Sequence, residues 1–316
     1  MSATAELAYT LEGIAHDLRE DGRSRLDFRH LSVEVGIFPQ TSGSARVTLG
    51  ATELLVGVIA ELAEPDAGAP DAGRILVSVG CGPGELTLPD YGCADRLGWL
   101  EASLAALYSY KSIPEALRQL CIVQGSQCWQ LRVHAQLLTV DGCPLDAIAL
   151  GVRAALHSTR VPRTVAASGD GGGGIAQQGS AMTSAAGGTK GAGAPMDLDL
   201  DESLDESVPF EASSLPMFVT VALLGSHLVA DCGAAERRAA GSALSLGLDP
   251  AGQVCAVRAG GGFGVHLAPL ADMLQTARFL CGALLDAAAR AVNSAAQDAQ
   301  IRGFPQADDG AFGLLA

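Results

Sequence analysis

The sequence predicts an α/β protein of the α+β type, with mixed, mostly antiparallel sheets covered by helices. Three observations carry that reading. Apolar residues alternate over Leu31 to Phe38, Ala45 to Leu49 and Leu131 to Val140, the period of half-buried strands. They recur at helical spacing over Ala3 to Glu20, Ala94 to Tyr110 and Leu145 to Leu156. The order, strands, helices, strand, helix, loop, strands and helix, fits antiparallel sheets with helical cover.

The first segment places Leu7, Leu11, Ile14, Ala15 and Leu18 on one helical face, and Asp21-Gly22-Arg23 breaks it as a turn. The meander Leu31 to Phe38, Ala45 to Leu49 and Leu54 to Ala60 follows. A Pro, Gly and Asp loop, Pro65 to Gly73, leads to a strand at Arg74 to Val79. Helices come next at Ala94 to Tyr110 and Pro114 to Leu120. Strand Leu131 to Val140 ends at the Asp141-Gly142 turn, and a helix follows with Pro144 in its first turn. Ser168 to Pro195 is almost all Gly, Ala, Ser, Thr and Gln, too poor in apolar surface to offset chain entropy. Asp197, Asp199, Asp201, Glu202, Asp205, Glu206 and Glu211 then form an acidic tract. Order resumes with the strand MFVTVALL from Met217, then His227 to Ala230. Ala243 to Leu248 and Gln253 to Arg258 form a hairpin about Asp249 to Gly252, and a long Ala-rich helix runs from Ala268 to Ala296. The organisation is a 1–30 helix and arm, a 31–165 first half, a 166–214 disordered insert, a 215–298 second half and a 299–316 flexible tail.

The chain has 316 residues, enough to bury a sizeable core. A formal charge of -15 excludes a protein that grips nucleic acid by overall attraction; seven of the acids lie in the tract. No apolar run reaches the roughly 20 residues a membrane helix needs. The eight cysteines form no C-x-x-C pair and read as reduced thiols in a soluble intracellular protein without a leader.

Several motifs invite chemistry. Ile75 to Gly84 is similar to the strand and glycine loop of S-adenosylmethionine-dependent methyltransferases, but Val77 and Ser78 replace the usual acid and Leu86 to Pro89 does not open a helix. Ala259 to Gly264 lacks the Gly-Lys-Ser/Thr of a phosphate loop. The histidines, His134 among them, show no zinc spacing, and neither Ser44 nor Ser126 sits in a nucleophile elbow. Asp141 and Asp146 flank a turn and a helix N-terminus, where the dipole favours carboxylates.

One set of blocks resembles the RNase PH family. It comprises Asp21-Gly22-Arg23, Asp27-Phe28-Arg29, TSGSARVTLGAT from Thr41 to Thr52, Leu55 to Val58 and Ala60-Glu61. Further along come VDGCPLDA from Val140, AALHSTRVP from Ala154 to Pro162, Val219 to Ala222 and His227 to Asp231. Within the family the likeness is to ring subunits of the eukaryotic RNA exosome. That resemblance implies a ribosomal protein S5 domain 2-like fold. It also implies head-to-tail pairing with other RNase PH-like subunits, a ring capped by S1/KH subunits, contact with single-stranded RNA within the complex, no membrane, and a place in the nucleus, nucleolus and cytoplasm.

Active members of the family use inorganic phosphate as nucleophile, held by cations, with acids for a metal. Counting back from Asp141 puts Cys128 and Trp129 where an Arg-Ser or Arg-Thr pair would stand. Asp231 matches the first acid, and Arg237, after Glu236, replaces the second. The resemblance therefore implies a structural, non-catalytic subunit that supports 3′–5′ RNA processing and degradation. It has no cofactor or metal, Asp231 is a vestige, and Arg96, Lys111 and Arg118 are candidates for RNA backbone contacts. The alternatives are an active phosphate-dependent 3′–5′ exoribonuclease and a methyltransferase using the Gly80 to Gly84 loop.

Overall fold

The computed structural model describes residues 3–82, 95–166, 198–200, 207–260 and 267–301. Helix α1 (Ala3–Ala15) ends short of the Glu20 that the spacing predicts. The cause is local. Asp17 adopts φ 57 and Leu18 N donates to Gly13 O at 2.9 Å, a left-handed close that satisfies the end carbonyls and stops the helix. An arm then leads to β1 (Leu31–Val35), β2 (Gly43–Leu49) and β3 (Thr52–Ala63), which form the predicted antiparallel meander.

Next come β4 (Arg74–Cys81), α2 (Arg96–Leu107), α3 (Pro114–Arg118), β5 (Cys121–Val123) and β6 (Gln127–Thr139). The sheet order is β1-β2-β3-β6-β4, with β5 also on β6; only the β4–β6 contact is parallel. Along β6, Leu131, Val133, Ala135 and Leu137 are buried while Arg132 and His134 face outward, the alternation expected of a half-covered sheet. After α4 (Pro144–His157) come the short strands β7 (Arg160–Pro162), β8 (Thr164–Ala166), β9 (Leu198–Leu200) and β10 (Ser207–Pro209). The chain continues as β11 (Met217–Leu224), β12 (His227–Ala230), α5 (Ala234–Ala239), β13 (Ser242–Leu248), β14 (Val254–Gly260) and α6 (Leu267–Ile301). A second, all-antiparallel sheet runs β12-β11-β13-β14.

Helix α4 lies between the two sheets, against β2 and β3 on one side and β11 on the other. The sequence shows one apolar stripe, yet the structure buries twelve of its residues, because a sandwiched helix has no broad solvent face. A Cβ at Gly151 would stand 2.6 Å from Leu54 Cδ1, so the missing side chain lets α4 seat on β3. Each fully buried Leu or Ile here contributes roughly 1.5–3 kcal/mol. Helix α6 covers β1, β11 and β13, and α2 covers β4 and β14.

Two expectations change. Val208 of β10 pairs with Val161 of β7, Phe210 N donates to Thr159 O at 3.0 Å, and Phe210 and Leu215 are buried. The 166–214 stretch read as disordered therefore contains described strands, β9 paired with β8 and β10 paired with β7, and the apolar residues of β10 and beyond are hidden in an otherwise acidic composition. The run Ser168 to Pro195 lies outside the described residues. Helix α6 also runs to Ile301, past the expected end of the second half.

One polar group is buried where α4 meets the second sheet. Asp146 is fully inaccessible and accepts from Thr220 N at 2.8 Å and Thr220 Oγ1 at 2.6 Å; that hydroxyl also meets Ser245 Oγ at 2.7 Å. Burial raises the Asp146 carboxyl to about 7, against the lowering pull of Thr220. A raised acid binds its proton in the folded state while the unfolded chain releases it, so stability falls as pH rises from the ordinary Asp range to about 7. Asp146→Asn removes that dependence while keeping a donor and an acceptor. In thermal melts the variant's Tm relative to wild type should rise from pH 4 to pH 7.5 by the equivalent of a few kcal/mol, about 1.4 per pH unit at most. A flat difference would show that Asp146 stays ionised.

Candidate functional site

The sequence directs attention to Asp231, and the structure places it at a crowded corner. Asp231 directly follows β12 and takes φ 44; Asp141 follows β6. The two strand ends meet where the arm after α1 crosses them. A Cβ on Gly142, itself at φ 85, would lie 1.8 Å from Cys232 O, so the Asp-Gly turn needs glycine for both conformation and space.

Arg29 of the arm joins the two carboxylates. Its Nε and Nη2 donate to Asp231 Oδ2 at 2.9 Å and Oδ1 at 2.7 Å, and its backbone N donates to Oδ2 at 2.8 Å. Its Nη1 reaches Asp141 O at 2.7 Å and Oδ2 at 2.9 Å. Arg23 Nη1 adds a longer contact to Asp231 Oδ2 at 3.4 Å. Asp231 is fully buried, and three of these donors fall on Oδ2 while Oδ1 accepts from Arg29 Nη2. Burial alone would lower the Arg29 guanidinium's pKa; its hydrogen bonds to Asp231 and the charges of Asp231 and Asp141 instead hold it well above the ordinary value.

Arg19 repeats the device one layer away. Its Nε and Nη2 grip Glu236 at 2.8 and 2.6 Å, while Nη1 and Nη2 reach Ala230 O at 3.1 Å and Asp231 O at 2.9 Å. Glu236 belongs to α5, a helix too short for its spacing to be read in the sequence. Its Oε2 also accepts from Gly233 N at 2.8 Å, and Asp141 Oδ1 accepts from Ala234 N at 2.8 Å, so both acids cap the start of α5. Arg237 lies in the same helix, near enough for its charge to act on Cys232 and Cys143. Burial pushes the Cys143 thiol up to about 12, which leaves it inert at neutral pH. Among the described residues no group of three or more His, Cys, Asp or Glu is placed to hold a metal.

The proposed loss of a phosphate site at Cys128 and Trp129 needs correction. Both are buried at the start of β6, and Asp141 follows the other end of that strand. At about 3.4 Å per residue the separation along the strand is roughly 35 Å, so these residues and Asp231 do not share one pocket. Counting residues back along a chain does not find a site when those residues lie along one extended strand.

The three candidate RNA contacts also divide. Arg96 begins α2, whereas Lys111 and Arg118 lie beyond its other end, about 18 Å along the helix axis. Lys111 is exposed. Arg118 stacks over the Tyr110 ring at 6.0 Å, donates to Tyr110 Oη at 3.2 Å and pairs with Asp71 at 3.0 Å. Tyr110 completes this cluster and is not legible in the sequence, because an aromatic eight positions before an arginine gives no periodic signal. Near the Gly80 to Gly84 loop, Gly82 N donates to Leu137 O at 3.1 Å and continues the sheet; Pro83 and Gly84 lie outside the described residues. Arg19 and Arg29 carry no motif that assigns them a role, though four arginines within Arg19 to Arg29 are a visible signal in an acidic chain.

Residues 27–162 match a family model described as RNase PH, 3′ exoribonuclease family, domain 1. The chain is similar to a Dictyostelium discoideum protein carrying the name RRP42, with 24% identity over 87% of this chain and 92% of the relative. It is likewise similar to the exosome complex component Rrp42 of Methanothermobacter thermautotrophicus, 27% identical over 77% of this chain and 79% of that one. Among solved structures, an archaeal exosome core matches with TM-score 0.67 and 23% identity over 90% of this chain and 97% of its own. An Archaeoglobus fulgidus exosome with RNA bound to the active site matches with TM-score 0.67 and 24% identity, over 90% and 98%. These structures show the shared fold.

Removing the guanidinium should expose what it holds. Arg29→Ala leaves Asp231 buried and without its main partner, a loss of about 3–5 kcal/mol. Arg29→Lys should recover little of it, because an ammonium cannot make the planar two-pronged bond. Urea unfolding measures both; a loss below about 1 kcal/mol would mean the corner is not a structural lock.

Proposed function

We propose that this chain is a structural, non-catalytic RNase PH-like subunit of an RNA exosome ring. In this reading it pairs with other RNase PH-like subunits under S1/KH caps and supports 3′–5′ RNA processing and degradation carried out elsewhere in the complex. Its sites of work would be the nucleus, nucleolus and cytoplasm. The observation that carries the reading is the structural use of Asp231: the carboxylate that matches a metal-binding acid is buried and bonded to Arg29 and Arg23. A buried carboxylate already paired with a guanidinium is a poor ligand for a divalent cation, because the cation would have to displace that partner. Arg237, at the second acid's position, adds a charge of the wrong sign. The likeness to Rrp42 proteins over most of both chains supports the assignment to a ring.

Two measurements test it. The purified chain, given inorganic phosphate, magnesium and RNA with a free 3′ tail, should release no nucleoside diphosphate above background. Affinity purification of the tagged chain should recover RNase PH-like and S1/KH proteins together. Phosphate-dependent release that is lost in Asp231→Ala would overturn the non-catalytic reading, and purification without such partners would overturn the ring.

A further inference from the structure

Two cysteines stand directly opposite each other at the edge of the first sheet. β5 and β6 form a tight antiparallel hairpin about Gly125, at φ 76, whose register pairs Cys121 with Cys128. One pair further from the turn, Trp129 N donates to Leu120 O at 2.8 Å. Bonded and non-bonded pairs alternate in an antiparallel ladder, so the cysteines occupy a non-bonded pair. There the Cα atoms approach to roughly 4.5 Å and both side chains leave the same face. A disulfide spans Cα separations of roughly 4.4–6.8 Å. Both residues are free thiols, and they lie close enough for the charge on Cys121 to act on Cys128.

Their exposure differs in a useful way. Cys128 is fully buried, whereas Cys121 is half-buried and lines a groove of about 410 Å³ with Arg118 and Trp129. A small oxidant can reach the first thiol, and the second waits behind it.

We propose that Cys121 and Cys128 are a redox pair that closes to a cross-strand disulfide by exchange with a small disulfide such as glutathione disulfide. The Cys121 thiol gives up its proton, and its thiolate attacks one sulfur of the small disulfide. That forms a mixed disulfide and expels one glutathione thiolate. The Cys128 thiolate then attacks Cys121 Sγ and expels the second. Two electrons pass from the protein to glutathione disulfide, and the two released thiolates take up the two protons. Burial pushes both thiols up, which suits a slow response to sustained oxidation rather than rapid redox catalysis. The ring closed is short, so its entropic stabilisation is small. Its effect is to fix β5, a three-residue strand at the floor of the groove.

The chain's own arginines make the test clean: cleavage after Arg118 and Arg132 yields a peptide, Gln119 to Arg132, that contains these two cysteines and no others. The folded full-length chain is incubated with glutathione disulfide, alkylated, digested with trypsin and examined by mass spectrometry. The expected product is this peptide lacking two hydrogens and carrying no alkyl group, restored to two alkylatable thiols by dithiothreitol. Cys121→Ser should abolish it, and Cys255→Ser, which removes another half-buried thiol, should not. A peptide that stops at glutathione bound to Cys121, or that keeps both thiols alkylatable, would overturn the proposal.

Discussion

The structure depends on one guanidinium placed between two carboxylates. Asp141 closes the last strand of the first sheet and Asp231 closes an edge strand of the second, and Arg29 bonds both. Without a cation the buried Asp231 would lie unpaired beside the partly exposed Asp141, and burying a lone carboxylate is strongly unfavourable. Arginine suits the position because its planar fork engages Asp231 through two nitrogens while a third reaches Asp141. Arg19 ties the same arm to Glu236 and to the carbonyls of Ala230 and Asp231, so the arm becomes a strap across the seam between the two halves.

That arrangement explains several features that look unrelated in isolation. Asp231 holds a positive φ because the surrounding bonds over-determine it. Gly142 leaves room for the Cys232 carbonyl, and α5 starts where Asp141 and Glu236 can accept its first N–H groups. The corner is built for stiffness. A catalytic metal site requires the opposite arrangement, with carboxylate oxygens held in place but left open. Here Asp231 is bonded to Arg29 and Arg23, and the non-catalytic function proposed above rests on that structural use.

The sequence is informative where a pattern is long and repeats. The strand MFVTVALL is observed over Met217–Leu224 as read, and the β1 to β3 meander and the helix after Asp141-Gly142 follow from period alone. Short or irregular elements escape it. Helix α1 stops at a left-handed residue whose conformation no apolar spacing encodes, and α5 is too short to show a period. Val208 and Phe210 find their places only through contacts with distant residues. Asp231 is visible in the sequence by its position after a strand, but its role depends on Arg29, 202 residues away in sequence, and only the fold brings them together.

Charge follows the same logic. The overall excess of acid argues against binding RNA through net attraction, and the paired cations show why a count of arginines would mislead. Arg19 and Arg29 are buried in ion pairs, and Arg46, Arg74 and Arg132 each face an acid, Glu53, Asp66 and Glu61. Exposed pairs of this kind add little stability but do neutralise the surface locally. The cluster of Tyr110, Lys111 and Arg118 differs by combining a stacking surface with positive charge, although Asp71 already engages Arg118. An aromatic–arginine pair can recognise a base or a phosphate over a few ångströms without a strong long-range field. Under the function proposed above, RNA contact would therefore rest on close local surfaces of this kind rather than on net charge.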